Sequence, residues 1–199
     1  MAYIGWDADG VLVDSREAAW DAARRIAALF GDTRAIDCYE AYTAVFGRGA
    51  QAALVGEEHS EVLRAMHRLV MRTRAHESKV FVDVLNILPR LKSPSVLATS
   101  AFASGIRAVL GDYSGLFTQL RGREDGQKVD NLRHFAATGL AVYITDGLRD
   151  LEVCQRLQVP SIGVAWGYTP IEVLRQSQPD FIAATPEDLI GVLQDLSFL

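Results

Sequence analysis

Residues 7–10 read Asp-Ala-Asp-Gly and follow directly on the short apolar run YIGW at 3–6. In an extended backbone, residues i and i+2 point the same way, so Asp7 and Asp9 are expected to face one site. Gly10 lets the chain turn sharply behind them. Such a pair can share a divalent ion, or divide the roles of nucleophile and acid. Taken alone, the pattern is more often a plain polar turn.

Three more groups have similar placements. SVLA at 95–98 runs into Thr99 and Ser100, whose hydroxyls can donate to an anionic oxygen or start the following helix. Lys128 falls at the beginning of a helical stretch. A cation there opposes the helix dipole, which a phosphate or carboxylate partner would offset; the plain alternative is a solvated lysine. LAVYIT at 140–145 ends in Asp146, with Asp150 four residues on. Helix capping accounts for both. Beside Asp7 and Asp9, however, two further carboxylates would repel unless a cation lay among them.

Positioning these groups falls to the elements around them. Strands are expected at 3–6, 95–98, 117–120, 140–145, 161–165 and 180–183, with helices at 16–30, 102–110, 128–138, 149–157, 170–176 and 186–196. Gly111 and Gly139 stand where helix stops are wanted. From 31 to about 85 the patterns are helical and no strand is convincing, with candidate helices at 36–46, at 59–75 and leading to Pro89. Short apolar strands alternating with helices predict an α/β fold, a Rossmann-like three-layer arrangement around a parallel sheet. Its core is residues 1–15 and 85–199, and an all-helical cap, 16–84, is inserted after the first strand. Ligands of such sheets bind at the carboxyl ends of the strands, where all these polar groups lie.

The 199 residues suit one domain with a smaller insertion. The net charge of -5 gives no general attraction to nucleic acid or to an anionic membrane. Residues 16–82 are at +1 and the remainder at -6, a basic insertion over an acidic core that suits an anionic substrate held with a metal ion. Cys38 and Cys154 are far apart and have no metal-ligand spacing, which fits a reducing cytoplasm. The first ten residues carry neither a basic leader nor a long apolar run.

The ordered set resembles the haloacid dehalogenase superfamily: YIGWDADGVLVDS its first motif, VLATS its second, GQKVDNL its third and YITDGLRDLE its fourth. VPSIGVAWGY is similar to the stretch after the fourth motif in the phosphoglycolate phosphatase-like subgroup, whose small cap the helical insertion resembles. Thr145, Ser100 and Val129 stand where the family often has Gly, Asn and Pro. The resemblance implies a phosphatase acting on a small phosphorylated metabolite. Asp7 would be the nucleophile that becomes an aspartyl phosphate, and Asp9 the acid and then base. Mg²⁺ would be held by Asp7, the Asp9 carbonyl and Asp146, with Asp150 reaching it through water or orienting the site. Thr99 and Lys128 would bind the phosphoryl group, with amides near Ala8, Asp9 and Ser100 adding donors. Asp14 and Ser15 would help start the next helix. The alternatives are a sugar-phosphate mutase of the same fold and a non-catalytic binding protein on it; a monomer or a homodimer fits equally.

Within the insertion, Arg48 in FGRG is a candidate substrate contact. Arg64, Arg68 and Arg72 share one helix face, which reads as solvated. His59, His67 and His76 have no ligand spacing. Lys79 is the insertion's one lysine, near its exit. Cys154, among apolar residues of a helix, reads as a small buried hydrophobe.

Overall fold

The computed structural model describes residues 2–29, 65, 66, 69 and 75–199. Six strands form one parallel sheet: β1 Tyr3–Trp6, β4 Ser95–Ala98, β5 Phe117–Arg121, β6 Leu140–Thr145, β7 Ser161–Val164 and β8 Phe181–Ala183. Their order across the sheet is β5-β4-β1-β6-β7-β8. From β1 the chain adds strands on one side, then crosses back to add β6, β7 and β8 on the other. The reversal lies between β1 and β6, where such sheets bind ligands.

The central strands are apolar on both faces because helices cover both. Alternate residues sort between two cores. Ile4, Trp6, Leu97, Val142 and Ile144 pack with Ala103, Ile106 and Leu110 of α3 (Ala103–Leu110) and with Leu189 and Leu193 of α7 (Pro186–Asp195). Val96, Ala98 and Tyr143 face the other way, onto Leu132 and Phe135 of α4 (Lys128–Thr138) and Cys154 of α5 (Leu148–Leu157). Cys154 is a free, buried cysteine as expected, and burial pushes its thiol up to about 12. The short α6, Ile171–Gln176, joins β7 to β8.

The expected strands are all present, with ends moved by one residue at most. α1, Arg16–Leu29, follows the first motif, and a short α2, Val82–Leu85, precedes a turn of 3-10 helix at Leu88–Arg90. One expectation is corrected. The stretch from 31 to 85 contains a strand, β3 at Lys79–Val80, antiparallel to β2 at Val13–Asp14, with Val13 opposite Val80 and Asp14 opposite Lys79. Two residues are too few to show an alternation. The helix expected at 36–46, most of that at 59–75, and Cys38, Arg48, His59, Arg64, His67, Arg68 and Arg72 lie outside the described residues. Lys79 pairs with Glu17 at 2.9 Å on the surface.

Candidate active site

Asp7 caps β1, and its amide donates to the Ile144 carbonyl at 2.9 Å, extending the ladder with β6 to the strand end. The chain then turns tightly, as the amides of Leu12 and Val13 both donate to the Ala8 carbonyl (2.8 and 2.9 Å). Gly10 has φ +77, and a Cβ built on it would overlap the Asp146 carboxylate. Only glycine serves both the backbone angle and the close approach. Through it the first-motif turn rests on the end of β6.

The two oxygens of Asp7 have separate partners. Oδ1 accepts from the Ala8 amide at 2.8 Å and pairs with Lys128 Nζ at 2.6 Å. Oδ2 accepts from the Thr145 hydroxyl at 3.0 Å. Lys128 also pairs with Asp150 Oδ2, which lies 3.1 Å from the same Thr145 hydroxyl oxygen. The lysine begins α4, against the helix dipole, and two carboxylates compensate it. It also lies 5.8 Å from the centre of the Tyr143 ring, a favourable face for a cation. Gly5 makes room for that ring, since a Cβ there would meet it at 2.7 Å. One turn into α4, buried Asn131 donates to the Gly122 carbonyl at 3.0 Å and accepts from Arg121 Nε at 2.9 Å, which pins the loop before Lys128.

Asp9 is held differently. The Ser15 hydroxyl donates to its Oδ1 at 2.6 Å, and Ser15 lies 2.9 Å from the Tyr168 hydroxyl, which also accepts from the Ser15 amide. Tyr168 donates to the Val13 carbonyl at 3.2 Å, and Trp166 Nε1 to the Val11 carbonyl at 3.2 Å. The loop after β7 thus clamps residues 11–15. Its amide at Tyr168 also donates to Asp146 Oδ2 at 2.6 Å. Ser15 does more than start α1: it fixes one oxygen of Asp9. Asp14 does serve the helix start, taking the Arg16 amide (3.2 Å) and guanidinium (2.9 Å).

Thr99 is wholly buried. Its Oγ1 accepts from the Ala101 amide at 3.0 Å, which uses a lone pair and not the hydroxyl proton. Neither Thr99 nor Ser100 caps the next helix, whose N-cap is Phe102. Ser100 is exposed.

Charge dominates the site. Burial pushes Asp7 well above the usual carboxylate range, and Lys128 only partly counters it, since Asp150 and Asp146 act in the same direction. Burial also raises Asp9 against the Ser15 bond, and Asp146 to about 6. Burial alone would lower Lys128, but Asp150 and Asp7 together hold it above its ordinary value. One ammonium among these carboxylates leaves a surplus of buried negative charge, which a divalent cation would neutralise. The donors are oxygens, the set hard cations prefer, and Mg²⁺ keeps several waters and uses only one or two carboxylates. Among the described residues no three His, Cys, Asp or Glu side chains form a ready-made cage. The set therefore fits a hard divalent cation through oxygen donors.

The structure brings Asp7, Lys128 and Asp150 together, with Asp146 against the turn that carries Asp9. Sequence reasoning assigned no role to Thr145 or Tyr168. A cue for Tyr168 lay in its position, in a loop at the carboxyl end of a strand, as for Asp7, Thr99 and Asp146.

No family model matches the chain, and no curated protein matches it. Solved structures do. A haloacid dehalogenase-like hydrolase from Streptococcus pneumoniae aligns with TM-score 0.78 at 19% identity, covering 97% of this chain and 98% of that one. A protein described as a predicted phosphatase from Clostridium acetobutylicum aligns with TM-score 0.83 at 20% identity, covering 98% of each. One described as a predicted phosphoglycolate phosphatase from Haemophilus somnus aligns with TM-score 0.72 at 15% identity, covering 96% and 97%. Identities this low carry the architecture and not the chemistry: the chain has the haloacid dehalogenase-like fold.

Proposed function

We propose that the chain is a magnesium-dependent phosphatase that hydrolyses a small phosphate monoester through Asp7. The observation that carries this reading is Asp7 itself. It is a buried carboxylate at the strand-order reversal, gripped at both oxygens and surrounded by more negative charge than Lys128 balances. The descriptions of the Clostridium and Haemophilus proteins support a phosphate ester as substrate, with phosphoglycolate the first compound to try.

An Asp7 oxygen attacks phosphorus, and the ester P–O bond breaks as the leaving oxygen takes a proton from Asp9. Burial favours the protonated form of Asp9, and the Ser15 bond at Oδ1 leaves Oδ2 to carry that proton. Water then attacks the aspartyl phosphate, giving its proton to Asp9, and phosphate departs as the Asp7 carboxylate reforms. Lys128 neutralises charge on Asp7 and on the transferring group. Thr99 and Ser100 supply donors to phosphoryl oxygens. Asp7, Asp146 and the Asp9 carbonyl would hold Mg²⁺, with Asp150 supporting from behind Lys128; the ion supplies charge neutralisation at the phosphoryl oxygens. Residues 16–84 are proposed as the cap, with Arg48 as its substrate contact.

Hydrolysis of a panel of phosphate monoesters, with and without Mg²⁺, tests this on the wild type and Asp7→Asn. Magnesium-dependent turnover that falls by about a thousandfold or more in the variant is expected. Turnover that survives Asp7→Asn overturns it.

A further inference from the structure

Building on the assignment of Asp7 as the attacking group, we propose that Thr145 is a positioning residue whose hydroxyl sets the plane of the Asp7 carboxylate. The last residue of β6 is wholly buried, so no bulk water competes for its hydrogen bonds. Its oxygen accepts from the Gly147 amide at 3.0 Å, which fixes the oxygen and leaves the proton to choose an acceptor. Two lie within reach, Asp7 Oδ2 at 3.0 Å and Asp150 Oδ2 at 3.1 Å. A hydroxyl has one proton to donate. Asp150 Oδ2 already holds the Lys128 ammonium, so the proton serves Asp7.

The contacts then run in a line: Asp150 Oδ2 to Lys128, Lys128 to Asp7 Oδ1, and Asp7 Oδ2 to the Thr145 hydroxyl. Among the described residues Thr145 is the one side-chain hydroxyl that donates to Asp7. Turning the carboxylate about its Cβ–Cγ bond moves both oxygens, so Lys128 and the Ala8 amide resist it at Oδ1 and the Thr145 hydroxyl resists it at Oδ2. With both oxygens held the plane is set, and reaction geometry is sensitive to small misplacements of the attacking atom.

The test compares Thr145→Val, which keeps the shape and loses the hydroxyl, with Thr145→Ser, which keeps the hydroxyl. p-Nitrophenyl phosphate with Mg²⁺ is the probe. The valine variant should lose about tenfold in kcat with KM within about twofold, and serine should restore kcat. Equal kcat in wild type and valine variant, with Asp7→Asn inactive, overturns the positioning role and leaves the function standing. If Thr145→Val does not fold, Thr145→Ala takes its place.

A second measurement needs no turnover: urea unfolding of Thr145→Val, Asp7→Asn and the double variant. If Thr145 holds Asp7, the double variant shifts the midpoint by less than the sum of the single shifts. Additive shifts overturn the proposal. A wild type without phosphatase activity refutes the function, and the unfolding cycle then decides the contact.

Discussion

The backbone amide of Tyr168 holds Asp146 at 2.6 Å, while the phenol of the same residue reaches Ser15 at 2.9 Å. One residue of the loop after β7 thereby supports two carboxylates of the site, Asp146 directly and Asp9 through Ser15. Tyr168→Phe separates the two supports, because it keeps the amide and removes the hydroxyl. We expect kcat to fall by about three- to tenfold as Asp9 loosens. Magnesium affinity, measured by titrating activity against Mg²⁺, should hold within about twofold. A weakening of metal affinity larger than the loss in kcat would contradict this division.

Lys128 is the cation that allows Asp7 and Asp150 to sit together in a site where all three side chains are at most 13% exposed. Lys128→Met keeps the aliphatic stem and removes the charge. Two facing carboxylates then remain buried without compensation. The variant should lose about 3–5 kcal/mol of stability in urea unfolding and at least about a hundredfold in kcat. A variant as stable as wild type would mean that water already screens the pair.

Magnesium should stabilise the fold as well as enable turnover. A cation that binds only the native state raises the melting temperature as its concentration exceeds Kd, and here it also relieves repulsion among buried carboxylates. Millimolar Mg²⁺ near pH 7.5 should raise the melting temperature of wild type by a few degrees. Asp146→Asn should remove most of that gain, while melting no lower than wild type in the absence of the ion. Differential scanning calorimetry with and without EDTA reads both. An equal gain in the variant would move the ion away from Asp146.

At the start of α1, the hydrogen bond from Arg16 holds Asp14 below its ordinary value of 3.8. A carboxyl whose folded pKa lies below its unfolded one stabilises the native state above the unfolded value and loses that contribution as pH falls through the folded one. Asp14→Asn should therefore be less stable than wild type at pH 7, by about 1 kcal/mol or less for a partly exposed pair. The two should converge as pH falls through the folded value. Urea unfolding at pH 7 and along an acid series checks the sign, and a difference that widens on acidification would reverse it.

The β1, β4 and β6 strands were legible because each is a short, mostly apolar run followed by polar residues, and buried parallel strands have that character. Asp7, Lys128 and Asp150 were legible as a set because each stands at the end or start of such an element. Thr145 was not, since a hydroxyl closing a strand has no pattern of its own; its contacts are with Asp7 after β1 and Asp150 in α5. Tyr168 escaped for a related reason. Half of its contribution is a backbone amide, which any residue could supply, and the other half reaches residues 153 positions earlier in the chain. The β2–β3 pair exists only because the fold returns residue 79 to residue 14.

That pair has a further consequence. Asp14 and Lys79 stand opposite each other across two antiparallel strands, so the segment between them begins and ends at adjoining residues. A detour whose two ends touch can grow, shrink or be exchanged without rethreading the domain it departs from, and the entropy of closing it rises only slowly with its length. The sheet is in this sense a socket: the carboxylates and the lysine at its strand ends can keep their places while the segment plugged between residues 14 and 79 is traded for another.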